Sequence, residues 1–148
     1  MLDELESRLQ ERGSVMRTLS TRRLVDLQRD IETHHRKGLF DKEFYSERLK
    51  SFDWAPPDSL PHAQSLIVVA VPDPQRRITF TWQGQSIPAI VPPTYLHWQE
   101  VDKQVFDLLA EVMGPAGHHL ALANLPKKLT AVRSGLAAYG RNNVTYVP

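Results

Sequence analysis

Along the chain the spacing of apolar positions changes twice, and each change marks an element. Leu2, Leu5 and Leu9 recur at helical spacing and predict a short amphipathic helix ended by Gly13. Residues 15–19 suit a short strand. Leu24, Leu27 and Ile31 then form a second helical stripe that stops near Gly38, and Asp41 is placed to cap a third helix with Phe44, Tyr45 and Leu49 on its buried side. The run Trp54-Ala55-Pro56-Pro57-Asp58 interrupts regular structure, because each proline lacks an N–H and restricts the residue before it. Residues 54–64 therefore read as a linker.

Beyond the linker the period shortens. Residues 65–71, SLIVVAV, form a continuous branched run closed by Pro72, the pattern of a strand covered on both faces. Ile78, Phe80 and Trp82 alternate with threonines, Gln83-Gly84-Gln85 supplies a turn, and residues 87–91 return, which predicts a β-hairpin. Pro88 assigns the return strand to a sheet edge. After Pro92-Pro93, Thr94 can cap a long helix whose expected buried stripe is Trp98, Val101, Val105, Leu108 and Val112, ended by Gly114-Pro115.

Residues 120–123 suit a short strand. Asn124 stands where a helix cap would, ahead of Pro126, and Leu129, Val132 and Leu136 line the face of a last helix. Gly135 falls inside that helix, where glycine costs about 1 kcal/mol relative to alanine, so it is expected to admit close approach of a strand or a ligand. Gly140 reads as the helix C-cap, and residues 143–147 as a final strand. An ending on an apolar strand reads as a fold continued past residue 148.

Helices and strands mix without strict alternation, which predicts an α+β domain with a small, mostly antiparallel sheet flanked by helices. Its parts are a helical segment 1–53, the linker 54–64 and a sheet-containing core 65–148.

Composition adds exclusions. A net charge of +1, from 18 basic and 17 acidic residues, excludes a polyanion-binding protein built on bulk charge. The distribution is uneven: the last acidic residue is Glu111, so Lys127, Lys128, Arg133 and Arg141 have no carboxylate nearby in sequence. That segment is the place where a phosphate or other anion would be met. The absence of cysteine excludes disulfides, thiolate metal ligation and a cysteine nucleophile within these residues. The charged N-terminus does not resemble a secretory signal, and the longest apolar run falls far short of the ~20 residues of a membrane helix, so a cytoplasmic protein is expected.

Candidate chemistry is sparse. His34-His35 and His118-His119 are adjacent pairs, whereas two ligands on one helix face need a spacing of three or four. His97 and Glu100 share a face but lack a third ligand, so no metal site is assigned. Ser134-Gly135 lacks the flanking glycines of a nucleophile elbow. The spacing of Gly135 and Gly140 fits neither common nucleotide-binding loop.

Ala131, Arg133, Gly135, Leu136, Gly140 and Asn142, in the string AVRSGLAAYGRNN, resemble the A-x-R-A-G-L-G-x-x-G-K-N stretch of epoxyqueuosine reductases and related iron-sulfur proteins, among them the corrinoid-dependent reductive dehalogenases. The string SLIVVAVP, residues 65–72, resembles the first core strand of the same domain. The resemblance implies a nitroreductase-like, corrinoid-binding half domain, with a ferredoxin-type domain holding two [4Fe-4S] clusters beyond residue 148. It implies cofactor contacts from Asn124, Arg133, Gly135, Gly140, Arg141 and Asn142: the arginines toward anionic groups, the asparagines as neutral hydrogen-bonding partners.

The sequence departs from the family at one position. The aspartate that precedes a proline by three residues, taken in the family as proton donor, corresponds here to Ala123, which carries no acid. Tyr95 and Tyr139 are the remaining candidate donors. The resemblance thus implies the N-terminal part of an iron-sulfur oxidoreductase of unknown substrate, a small molecule or tRNA, inactive by itself. The alternative is a non-enzymatic module whose basic C-terminal face docks RNA or an acidic partner.

Overall fold

A computed structural model describes residues 1–72, 74, 76–91, 97–141 and 144–148. Helix α1 (Leu2–Glu11) stops before Gly13 as expected, and strand β1 (Val15–Ser20) follows. A 3-10 turn over Thr21–Arg23, capped by the Ser20 side chain accepting from the Arg22 amide, leads into α2 (Leu24–Arg36). The Thr21 hydroxyl and amide donate to the carbonyls of Ala63 and Gln64 at 2.9 and 3.0 Å, which anchors the end of the linker where β2 begins.

Strand β2 (Ser65–Ala70) pairs antiparallel with β1, Met16 opposite Val69 and Thr18 opposite Ile67. The pleat then explains the unbroken apolar run. Ile67 and Val69 point to one side of the ribbon, where Leu5 and Leu9 of α1, Met16, and Leu108, Leu109, Val112 and Met113 of helix α4 (Trp98–Met113) form the main core. Leu66 points to the other side, into a smaller cluster with Leu24, Leu27, Trp54, Leu125 and Leu129. Leu5 and Leu9 are sealed to 0% and 1% exposure, each contributing about 1.5–3 kcal/mol by burial. Arg8 and Glu111 join α1 to α4 at 2.6 Å; that hydrogen bond, then the arginine charge, holds the Glu111 carboxyl below the usual carboxylate range.

The remaining strands form separate ribbons: β3 (Arg76–Trp82) with β4 (Gln85–Val91), and β5 (Ala138–Tyr139) with β6 (Thr145–Tyr146). The protein is α+β, with five helices and small antiparallel sheets among the described residues, and the single small sheet expected from sequence is instead three two-stranded ones. The β3–β4 turn is made by Gln83 and Gly84, both at positive φ (48° and 77°), the turn whose twist matches a two-residue hairpin. Counting outward from it, Pro88 opposite Thr79 falls at a position where its missing N–H would have faced away from β3, so the proline blocks the outer edge without loss to the ribbon.

Other expectations change. The third helix is a single turn, α3 (Lys42–Phe44), capped by Asp41 as expected, running into a π-helical turn over Tyr45–Leu49. It has no buried side: Phe44 is 48% exposed, and Tyr45 stacks on His35 with centroids 3.5 Å apart. Trp98 leaves the α4 stripe at 55% exposure, its place taken by Leu109 and Met113. Residues 120–123 form no strand, and the expected capping position Thr94 lies outside the described residues.

The accessible surface totals 11096 Å2. Compact monomers of this mass expose roughly 7,700 Å2. Much of the excess is apolar, with Phe80, Trp82, Ile87, Ile90, Leu122, Tyr139 and Tyr146 each 46% exposed or more.

Candidate functional site

The segment carrying the resemblance begins at Leu125, buried beneath α2, and Pro126, after which helix α5 (Lys127–Arg133) runs for only seven residues. It ends at Ser134. Gly135 takes φ +74°; its amide donates to the Val132 carbonyl at 3.0 Å, and the Leu136 amide to the Ala131 carbonyl at 3.0 Å. This pair of bonds is a Schellman cap, with Leu136, 3% exposed, as the apolar residue that closes it. The expectation of Gly135 inside the helix is therefore corrected. Glycine is required by the left-handed backbone, and a Cβ built there would meet nothing within 4 Å.

Gly140 is corrected likewise. It lies in the β5–β6 hairpin, its amide donating to the Val144 carbonyl at 2.8 Å, and caps no helix. Asn124 does not cap α5 either. Its side-chain amide donates to the Ser51 carbonyl at 2.8 Å, and its own carbonyl accepts from the Asp53 amide at 2.9 Å, which fastens residues 51–53 to the start of this segment.

The charge picture changes most. Arg133 is hydrogen-bonded and ion-paired to Asp30 of α2. Lys127 bonds both carboxylate oxygens of Asp102 of α4, at 3.0 and 2.9 Å. Carboxylates distant in sequence are thus brought to two of the four cations, while all four stay exposed. Among the described residues Lys128 and Arg141 have no salt-bridge partner. Tyr139 stands on β5 at 46% exposure. Tyr95 and Asn142 lie outside the described residues.

Gly135, Tyr139 and Arg141 are all solvent-facing, while Asn124 and Arg133 are held in place by other parts of the chain. Of the five assigned cofactor residues that the structure describes, Gly135 and Arg141 are open, Gly140 is half-buried in the hairpin, and Asn124 and Arg133 carry bonds to other parts of the chain; none of the five lines either of two concavities around α4.

A concavity that the sequence did not flag lies next to this segment. Trp98, Gln99, Asp102, Lys103, Phe106 and Leu122 line an open groove of about 320 Å3. Lys127 of α5 reaches over the Trp98 ring at 5.8 Å while bonded to Asp102, so one cation ties α5 to the α4 wall of the groove. The signal was the row Trp98, Asp102, Phe106, spaced by four on α4 and adjacent to the buried stripe. No group of three metal-ligating side chains occurs among the described residues, nor any helix long and apolar enough to cross a membrane.

Compared with known proteins, the chain matches no family model, no curated protein and no solved structure.

Proposed function

We propose that these residues form the N-terminal part of an iron-sulfur oxidoreductase related to the epoxyqueuosine reductases, inactive by itself and acting on a small-molecule or tRNA substrate. The reading is carried by the ordered string AVRSGLAAYG, which folds as a helix end, a left-handed glycine and the first strand of a hairpin, with Gly135, Tyr139 and Arg141 on open surface.

A corrinoid is the cofactor the resemblance implies. Asn124 and Arg133 fit less well as its ligands, because one polar atom of each, Nδ2 and Nη2, is already bonded to Ser51 and Asp30. Gly135, with free space where a Cβ would stand, and the exposed Arg141, without a salt-bridge partner among the described residues, fit the edge of a large ring bearing amide and phosphate groups. Once bound, such a group supplies the reduction, fed by [4Fe-4S] clusters whose thiolates a cysteine-free segment cannot provide. Of the two candidate donors, Tyr139 is the one the structure describes, a phenol able to hold a proton beside that surface.

The test is the absorption spectrum of the protein purified anaerobically from its complete reading frame with hydroxocobalamin supplied. Corrinoid bands and a broad iron-sulfur shoulder that bleaches on reduction are expected. Arg141→Ala should weaken corrinoid retention and Asn124→Ala should leave it unchanged. A colourless protein refutes the proposal.

A further inference from the structure

The β3–β4 hairpin is two-faced. From the register, Arg76, Ile78, Phe80 and Trp82 share one face with Gln85, Ile87, Ala89 and Val91, while Arg77, Thr79, Thr81, Ser86, Pro88 and Ile90 share the other. Such alternation is the signature of a ribbon with one buried face, yet among the described elements β3 and β4 pack substantially only on each other. Ile78, Phe80, Trp82 and Ile87 are 38%, 54%, 67% and 46% exposed. A two-stranded ribbon with its apolar face in water has little to hold it.

We propose that a second copy of this chain covers this face, the two hairpins packing face to face in antiparallel orientation about a two-fold axis at the level of Thr79, midway between Arg76 and Trp82 on β3. Area and charge both favour that occupant. With aromatic side chains offering about 150–250 Å2 each, the four large side chains expose roughly 500 Å2 per copy. Two copies together bury roughly 1,000 Å2, the size at which specific interfaces begin.

The face carries one charge, Arg76 at its base, and ends at its tip in Trp82. The two lie six residues apart, roughly 20 Å along the strand. Antiparallel packing brings Arg76 of each copy onto the Trp82 ring of the other, a cation–π contact made twice, and keeps the two arginines apart. Parallel packing would set arginine on arginine. Each residue on the face thus meets a suitable counterpart on an identical face, as a two-fold interface requires. Pro88 on the outer edge of β4 disfavours the competing arrangement, edge-to-edge addition through that strand.

The inference stands on the hairpin alone and does not depend on the redox reading: a colourless dimer retains it, and a coloured monomer refutes it. The experiment is sedimentation velocity of the protein from its complete reading frame over a wide concentration range, with Phe80→Asp and, on the opposite face, Thr81→Lys. A reversible dimer is expected, with Phe80→Asp raising Kd about 30-fold or more, as for a central hot-spot residue, and Thr81→Lys leaving it within about threefold. Circular dichroism of both variants establishes that the fold is kept. Trp82→Leu is the second probe: it keeps an apolar side chain but removes the cation–π partner, and should weaken the dimer by a smaller factor than Phe80→Asp. A monomer at every concentration overturns the proposal, including one that instead sediments with lipid vesicles or stays bound to another protein. So does a dimer that Phe80→Asp leaves intact, or one that Thr81→Lys disrupts equally.

Discussion

Gly135→Ala separates two descriptions of the same residue by the sign of its effect. In a helix interior, alanine is favoured over glycine by about 1 kcal/mol, so the substitution would stabilise the protein. In the Schellman cap, Gly135 holds φ +74° and the sign reverses. A Cβ in the left-handed region costs about 1–2 kcal/mol. The stiffer unfolded chain returns about 0.4–1 kcal/mol of that. Because a Cβ at Gly135 meets nothing within 4 Å, no steric cost is added. The net expectation is a loss of about 1 kcal/mol, lowering Tm by about 2–4 °C in a chain of this length. Urea unfolding followed by circular dichroism and tryptophan fluorescence measures it, with an unchanged m-value as the check that the same transition is compared. Gly135→Asn should lose less, since asparagine tolerates the left-handed region better. A stabilising Gly135→Ala refutes the cap and restores the helix-interior glycine.

Leu5→Ala should cost about 2–5 kcal/mol in the same assay, because the side chain is fully buried at the meeting of α1, the β1–β2 ribbon and α4. Asn124→Ala should cost about 1 kcal/mol through the lost bond to Ser51, with increased protease cleavage near residues 51–53 as its local signature. Glu111 is held below the usual carboxylate range by Arg8, so the folded state binds its proton less readily than the unfolded chain does. Its contribution is complete above the ordinary carboxylate value and is lost as pH falls through the lower folded value. The stability difference between the protein and Glu111→Gln should therefore be present at neutral pH and vanish in acid; a difference that grows in acid refutes the pairing.

Much of the local structure was legible from residues close together in the chain. Gly13 and Gly38 ended helices, Asp41 capped a turn, and Gln83-Gly84 made the tight turn, because each acts through backbone geometry within a few residues. The run 65–71 was legible as a strand covered on two faces for the same reason, period and composition being local. The last helix was misjudged because a glycine in a helical pattern and a glycine just past a helix end look alike until Leu136 is known to be buried.

What the candidate site can offer was settled by contacts across long stretches of chain. Asp30 reaches Arg133 over 103 residues and Asp102 reaches Lys127 over 25, so a segment free of acids in sequence is partly neutralised in space. The groove beside Trp98 exists because Leu122 comes to lie against α4, with Lys127 reaching Trp98 and Asp102, which no periodicity encodes. The sequence by itself determined the helix ends at Gly13 and Gly38, the Asp41 cap and the two-faced character of the hairpin, since these depend on φ preferences and on alternation at fixed period. Only the tertiary structure decided which cations stay free, which glycines have open space beside them and which apolar faces go uncovered, because charge pairing and burial depend on distance in space, not on distance along the chain.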